Sequence, residues 1–171
     1  MLDESKIKEQ EIVDSICDKY KSLESPDFSF VEQIVSTNPY AEITQYYKQI
    51  GFFLEEDTDT NDDVSFGYLL KKENKQWILR LSMVGSYAVL LELDDPINPQ
   101  LVKVVSRVKY PLSNLEQQIV TVLEEHGIEL MTQDILSIPI ALSLFNTDLE
   151  NTRIYQALFT DTDVLPWEEC K

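Results

Sequence analysis

The sequence predicts an α+β fold: an antiparallel meander sheet of five to six strands, with N-terminal helices and one long helix packed on the sheet. Three observations carry that prediction. A helical apolar period opens the chain, period-two alternation runs through its middle, and a capping box introduces a second strongly helical segment. The chain has 171 residues, 43% hydrophobic and 26% charged, which suits one domain able to bury its own core. That single domain, 1–171, is expected to be mainly helical over 1–50 and to hold antiparallel strands over 64–110. A helix over 113–126, two further strands over 140–160 and an acidic tail over 161–171 complete it.

Each element has its own signal. Ile12, Val13, Ile16, Cys17, Tyr20 and Leu23 recur at steps of three and four, so 4–23 reads as an amphipathic helix with Cys17 packed on its apolar face. Ser25-Pro26-Asp27 breaks it, and Asp27 is placed to cap a short helix through Val35. Asn38-Pro39 reads as an N-cap and first helical position, opening a third helix that ends at Gly51. Glu55–Asp63 is an acidic turn or loop. Val64–Lys72 and Gln76–Ser82 flank Glu73-Asn74-Lys75 as a hairpin. Gly85-Ser86 turns the chain into Tyr87–Leu93, the breaker-rich Asp95–Pro99 turns it again, and Val102–Val108 alternates as a fourth strand. Ser113 and Glu116 form the capping box of a helix closed by His126-Gly127. Thr132–Leu136 is one helical turn stopped by Pro139, and Ile140–Phe145 and Thr152–Thr160 read as the last two strands.

Charge narrows the functional classes. The net charge of −17 is unevenly spread. Residues 1–63 hold 16 acidic against 5 basic side chains, 64–110 hold 4 against 7, and 111–171 hold 11 against 2. Lys71, Lys72, Lys75, Arg80, Lys103, Arg107 and Lys109, interleaved with Phe66, Tyr68, Trp77 and Tyr110, resemble a nucleic-acid-binding sheet in composition. The field of the whole chain opposes phosphate, so no nucleic acid is expected, and these bases are read as partners for nearby carboxylates. Neither a signal peptide nor a membrane-length apolar run is visible, and two cysteines make no disulfide framework, so a cytoplasmic location without membrane contact is expected.

No motif names a reaction. Four dispersed glycines exclude a Gly-rich phosphate loop. Asp57, Asp59 and Asn61 begin like a calcium loop, but the glycine and glutamate that such a loop requires are replaced by Asp62 and Tyr68, so no metal is expected. His126 has no second ligand near it in sequence and sits where it complements a helix C-terminus. Cys170 lies beside Glu168 and Glu169, which disfavours a thiolate. Glu124-Glu125 and Glu168-Glu169 read as solvated acids rather than a catalytic pair. No catalytic residue and no cofactor is therefore predicted.

The function expected is a non-catalytic acidic protein-binding domain whose partner is a basic protein. Asp148, Glu150, Asp161, Asp163, Glu168 and Glu169 are the candidate steering charges, with Tyr155 and Trp167 as aromatic anchors. In general type, a compact acidic domain without catalytic equipment resembles the immunity-type inhibitors that neutralise a basic toxin or nuclease. The alternative is a small-molecule-binding domain or an enzyme with a dispersed active site. A pocket of convergent polar groups at His126 or a buried carboxylate would favour that alternative.

Overall fold

The structure is a computed structural model that describes residues 3–93, 102–108 and 111–168. It is a mixed helix-and-sheet fold around a six-stranded, mostly antiparallel sheet. Three helices come first: α1 (Glu4–Tyr20), α2 (Ser29–Thr37) and α3 (Ala41–Gln49). The strands follow: β1 (Phe53–Glu56), β2 (Ser65–Lys72), β3 (Lys75–Ser82), β4 (Tyr87–Leu93) and β5 (Val102–Val104), paired antiparallel in that order. After α4 (Asn114–Glu125) comes the short β6 (Glu129–Leu130), which runs parallel to β4. Two further helices, α5 (Gln133–Leu136) and α6 (Ile154–Leu158), lie near the C-terminus.

Register decides what each face of the sheet meets. Phe66, Leu81 and Ala88 align on one face, as do Tyr68, Leu79 and Leu90. Helices α3 and α4 serve this face: the Tyr47 hydroxyl donates to Ile119 O at 2.7 Å, and Trp77 Nε1 donates to the Glu116 carboxylate at 3.2 Å. Gly67, Arg80 and Val89 align on the other face. There Ser65 and Ser82 donate to the carbonyls of Phe159 and Leu158 at the end of α6, and Ser15 of α1 meets the Tyr87 hydroxyl. Tyr20 of α1 donates to Ala157 O, joining the two helices of this layer. Among the described residues no helix is long and apolar enough to cross a membrane.

Helix α4 begins as the sequence requires. Ser113 Oγ accepts from Glu116 N at 3.2 Å, and Glu116 Oε1 accepts from Ser113 N at 3.0 Å. At its other end Gly127, at φ 71°, lets Ile128 N reach Leu123 O and Gly127 N reach Glu124 O, which satisfies the last carbonyls. Ser113→Ala is expected to lower stability by about 0.5–2 kcal/mol in chemical denaturation, since one N-terminal donor loses its acceptor. An unchanged unfolding midpoint would count against that reading of the helix start.

Several expectations are corrected. Asn38 is not an N-cap: it sits at φ 38° as the C-cap of α2, and α3 starts at Ala41. Asparagine tolerates the left-handed region, and its side chain accepts from Tyr40 N across Pro39. Cys17 is exposed rather than packed, because the buried stripe of α1 is the narrower Ile12, Ile16 and Tyr20. Residues 140–160 hold no strand. Ile140–Phe145 alternates in burial yet pairs with no described strand, and this region contributes only to the isolated Pro139–Arg153 and Asp63–Thr160 bridges. Residues 154–158 fold as α6, buried on every side, so their apolar run carries no period to separate helix from strand. The fourth predicted strand is shorter than its alternation, ending at Val104. The Asp95–Pro99 turn, Lys109, Tyr110, Glu169 and Cys170 lie outside the described residues.

Candidate functional site

One concavity lies between α2, the turn Thr60–Val64 and the loop around Phe145. It is a groove of about 500 Å³ with Phe28, Val31, Val35 and Val64 as its apolar floor. Phe145 stands at its edge, 86% exposed, and its ring lies 5.8 Å from that of Phe28. Four carboxylates, Glu32, Asp62, Asp63 and Asp161, line the same groove, and among the described residues no lysine or arginine does.

The acidic groups are held in place by the local fold. Asp161 accepts from Phe145 N and Asn146 N at 2.9 Å and from Thr147 Oγ1 at 2.7 Å, so it fixes the loop that presents Phe145. Asp62 accepts from Asn146 Nδ2 at 2.8 Å. Asp63 is 6% exposed and fully engaged: Thr160 Oγ1 donates at 2.6 Å, Asp59 N at 2.8 Å, and Arg80 Nη1 faces it at 3.4 Å. With one donor on Oδ1 and two on Oδ2, this nearly buried carboxylate ties the Asp57–Asp63 loop to Thr160 and to β3. The Asp57–Asp63 loop is closed in the same way, with Asp59 Oδ1 accepting from Asn61 N. Among the described residues no cluster of three or more His, Cys, Asp or Glu side chains could hold a metal ion.

The residues singled out in the sequence are dispersed by the fold. Of the eight, Asp161 alone lines the groove. Asp163 accepts from Asp148 N and Asn151 Nδ2, both at 3.1 Å, closing the neighbouring loop. Asp148, Glu150 and Glu168 are exposed, and Glu169 is outside the described residues. Tyr155 is corrected: at 1% exposure it is core, and burial pushes its hydroxyl up to about 12, with Arg80 opposing and Asp63 assisting. Trp167 is half-buried, its ring edge-on to Tyr155 at 5.4 Å. Glu32 and Phe145, which sequence reading passed over, are brought to the groove by α2 and by a loop read as a strand.

A second hollow, about 310 Å³, contains Tyr40, Ser82 and His126. Their polar atoms serve the backbone. Tyr40 donates to Ser82 O, Ser82 to Leu158 O, and His126 Nδ1 lies 2.8 Å from Val122 O.

One carboxylate pair has divided its titration. Burial and the neighbouring Glu116 raise Glu92 above the usual glutamate range. Burial opposes the charge of Glu116 as well, but hydrogen bonds from Ser113 and Trp77 and the neighbouring Glu92 outweigh it and hold Glu116 below that range. Lys103, 3.8 Å from Glu92, offsets part of the burial. The wild-type fold therefore loses stability as pH rises from the ordinary glutamate value through the raised value of Glu92. Glu92→Gln removes that loss. It is expected to stabilise the protein at pH 7 by about 0.5–1.5 kcal/mol, with the gain vanishing below about pH 4 where Glu92 is protonated in both states. Thermal unfolding across pH checks this, and a gain that persists at low pH would refute it.

Two further bases of the cluster meet carboxylates as expected, whereas Lys71 and Lys72 lie over the rings of Phe53 and Phe52 and Lys72 Nζ donates to Ile50 O. Arg107 meets Glu124 at 2.8 Å, Lys103 meets Glu92 across the β4–β5 pair, and Lys8 of α1 pairs with Glu129 of β6. Comparison with known proteins adds no relative: no family model, no curated protein and no solved structure matches this chain.

Proposed function

We propose that this chain is a non-catalytic, acidic protein-binding domain, of the immunity type that inhibits a basic toxin or nuclease, and that its partner docks in the α2 groove. The antiparallel meander, with α4 packed on one face, is the scaffold in this reading. The observation that supports it is the coincidence of an exposed Phe145, an apolar floor and four carboxylates with no lining cation among the described residues. Carboxylates accelerate the approach of a cationic partner, and an aromatic ring beside an apolar floor slows its departure. The small-molecule or enzymatic alternative draws on the hollow at His126, where Tyr40, Ser82 and His126 Nδ1 meet backbone carbonyls, and on Asp63, the buried carboxylate of the groove, which already holds three donors.

A synthetic amphipathic peptide with lysines and leucines at helical spacing is the test probe, read by fluorescence anisotropy at several salt concentrations. A glutamate-for-lysine peptide of the same pattern is the control. The lysine peptide should bind with an affinity that falls with salt, and the glutamate peptide should not bind. Glu32→Gln with Asp62→Asn should flatten the salt dependence, and Phe145→Ser should hasten dissociation in a folded protein. Equal binding of both peptides, or indifference to Phe145→Ser, overturns the proposal.

A further inference from the structure

We infer that the free edge of β1 accepts a basic, extended segment of a protein partner as an added strand, with one long cationic side chain reaching into the acidic hollow beside it. Strand β1 ends the sheet, and among the described residues it pairs only with β2. Asp57 N donates to Gly67 O at 2.8 Å. Because antiparallel pairing alternates, the N–H and C=O groups of Leu54 and Glu56 then point away from β2, on the side where no other described strand pairs. That is a main-chain template of the kind used in strand addition.

The surroundings select the occupant. Beside β1 lies a hollow of about 400 Å³, with Glu55, Glu56 and Asp57 at its acidic side, Leu69, Ile78 and Leu93 along its apolar side, and one lining cation, Arg80, which is already paired with Asp63. A lysine or arginine matches both, its methylene stem on the aliphatic residues and its charge at the carboxylates. Gly67 lets the Asp57 backbone and the Arg80 side chain close over β2 at the hollow's side: a Cβ there would stand 2.8 Å from Asp57 O and 3.1 Å from Arg80 Nη1. Glu55, Glu56 and Asp57 are consecutive and exposed, so a second copy of this chain would bring like charges together at the same edge. Phe53, 58% exposed with Lys71 Nζ 5.7 Å above its ring, shares a face with Glu55 and Asp57. An antiparallel newcomer therefore reads basic, any, basic, any, apolar. No lining residue is shared with the α2 groove, so this inference rests on the acidic character of the chain and not on that docking site.

The probe is a synthetic peptide with that pattern in a threonine background, and the control has the same composition with its lysines at helical spacing. Amide hydrogen exchange by NMR is the readout. Saturating peptide should slow exchange at Leu54 and Glu56 by about tenfold or more, and the control should not. Glu56→Pro removes an outward donor and should abolish binding. Glu55→Lys with Glu56→Lys keeps the backbone and should weaken binding by roughly tenfold or more, which carries the test if the proline variant does not fold. Phe145→Ser should leave this binding intact, so failure at the groove and failure at the edge are separable. Unchanged exchange at Leu54 and Glu56, or undiminished binding by the charge-reversed variant, overturns the inference.

Discussion

Asp63→Ala should remove roughly 3–5 kcal/mol of stability, because it leaves Arg80 as a buried cation without its counter-ion. The Arg80 side chain is 17% exposed, and its Nε is buried without a hydrogen-bond partner among the described residues. Its compensation is already incomplete, with Asp63 at 3.4 Å and the Tyr155 hydroxyl beside it. Removing Asp63 also frees Thr160 Oγ1 and Asp59 N, two donors that hold the Asp57–Asp63 loop against the C-terminal segment. Replacing both Asp63 and Arg80 by leucine removes the orphaned charge together with its partner. The double variant should therefore be less destabilised than Asp63→Ala alone. Urea unfolding at neutral pH of the single and double variants gives the comparison. A loss below about 1 kcal/mol for Asp63→Ala would place this contact among ordinary surface pairs.

The same network determines which residues can probe binding. Asp63 and Asp161 both line the groove, yet both hold its walls together, so their loss mixes steering with structure. The Glu32 side chain has no hydrogen bond or ion pair to another described residue, and the Asp62 carboxylate has a single side-chain donor, Asn146. These two report charge with the least disturbance of the fold.

How far the sequence could be read depended on whether the signal was local. Ser113, Glu116 and Gly127 encode both ends of α4 within its own residues, and the structure reproduces each bond. The hairpin β2–β3 was equally legible, since Glu73 and Asn74 supply the positive φ values its turn requires. Strand β1 was missed because Glu55 and Glu56 look like loop, although an edge strand tolerates charge on its exposed side. Helix α6 was missed because burial on all sides erases periodicity. The groove was not legible at all. Glu32, Asp62 and Phe145 are far apart in sequence, and only tertiary packing of α2 against the C-terminal loop brings them together. The proposed aromatic anchor Tyr155 failed for the same reason, because composition places an aromatic near acids without saying which side of the surface it occupies.

Trp77→Ala should be comparably damaging, at roughly 3–5 kcal/mol, the usual loss when a buried tryptophan is truncated. Trp77 is 1% exposed, edge-on to Phe52, and its Nε1–H reaches Glu116 Oε2. It thus joins the sheet to the first turn of α4, where Glu116 also closes the capping box through Oε1. Trp77→Phe separates the two contributions. It keeps most of the apolar contact and removes one donor from a charged acceptor, an expected loss of about 1.5–3 kcal/mol at pH 7. The stabilisation that comes with the lowered pKa of Glu116 is present above the ordinary glutamate range and fades as pH falls through the lowered value. The gap between wild type and Trp77→Phe should therefore narrow in acid, while the gap caused by Trp77→Ala, being mostly lost packing, should persist. Glu92→Gln should help more in the Trp77→Phe background than in the wild type, because both positions act on the charge of Glu116. Strict additivity between them would mean that Glu92 and Trp77 do not share that carboxylate.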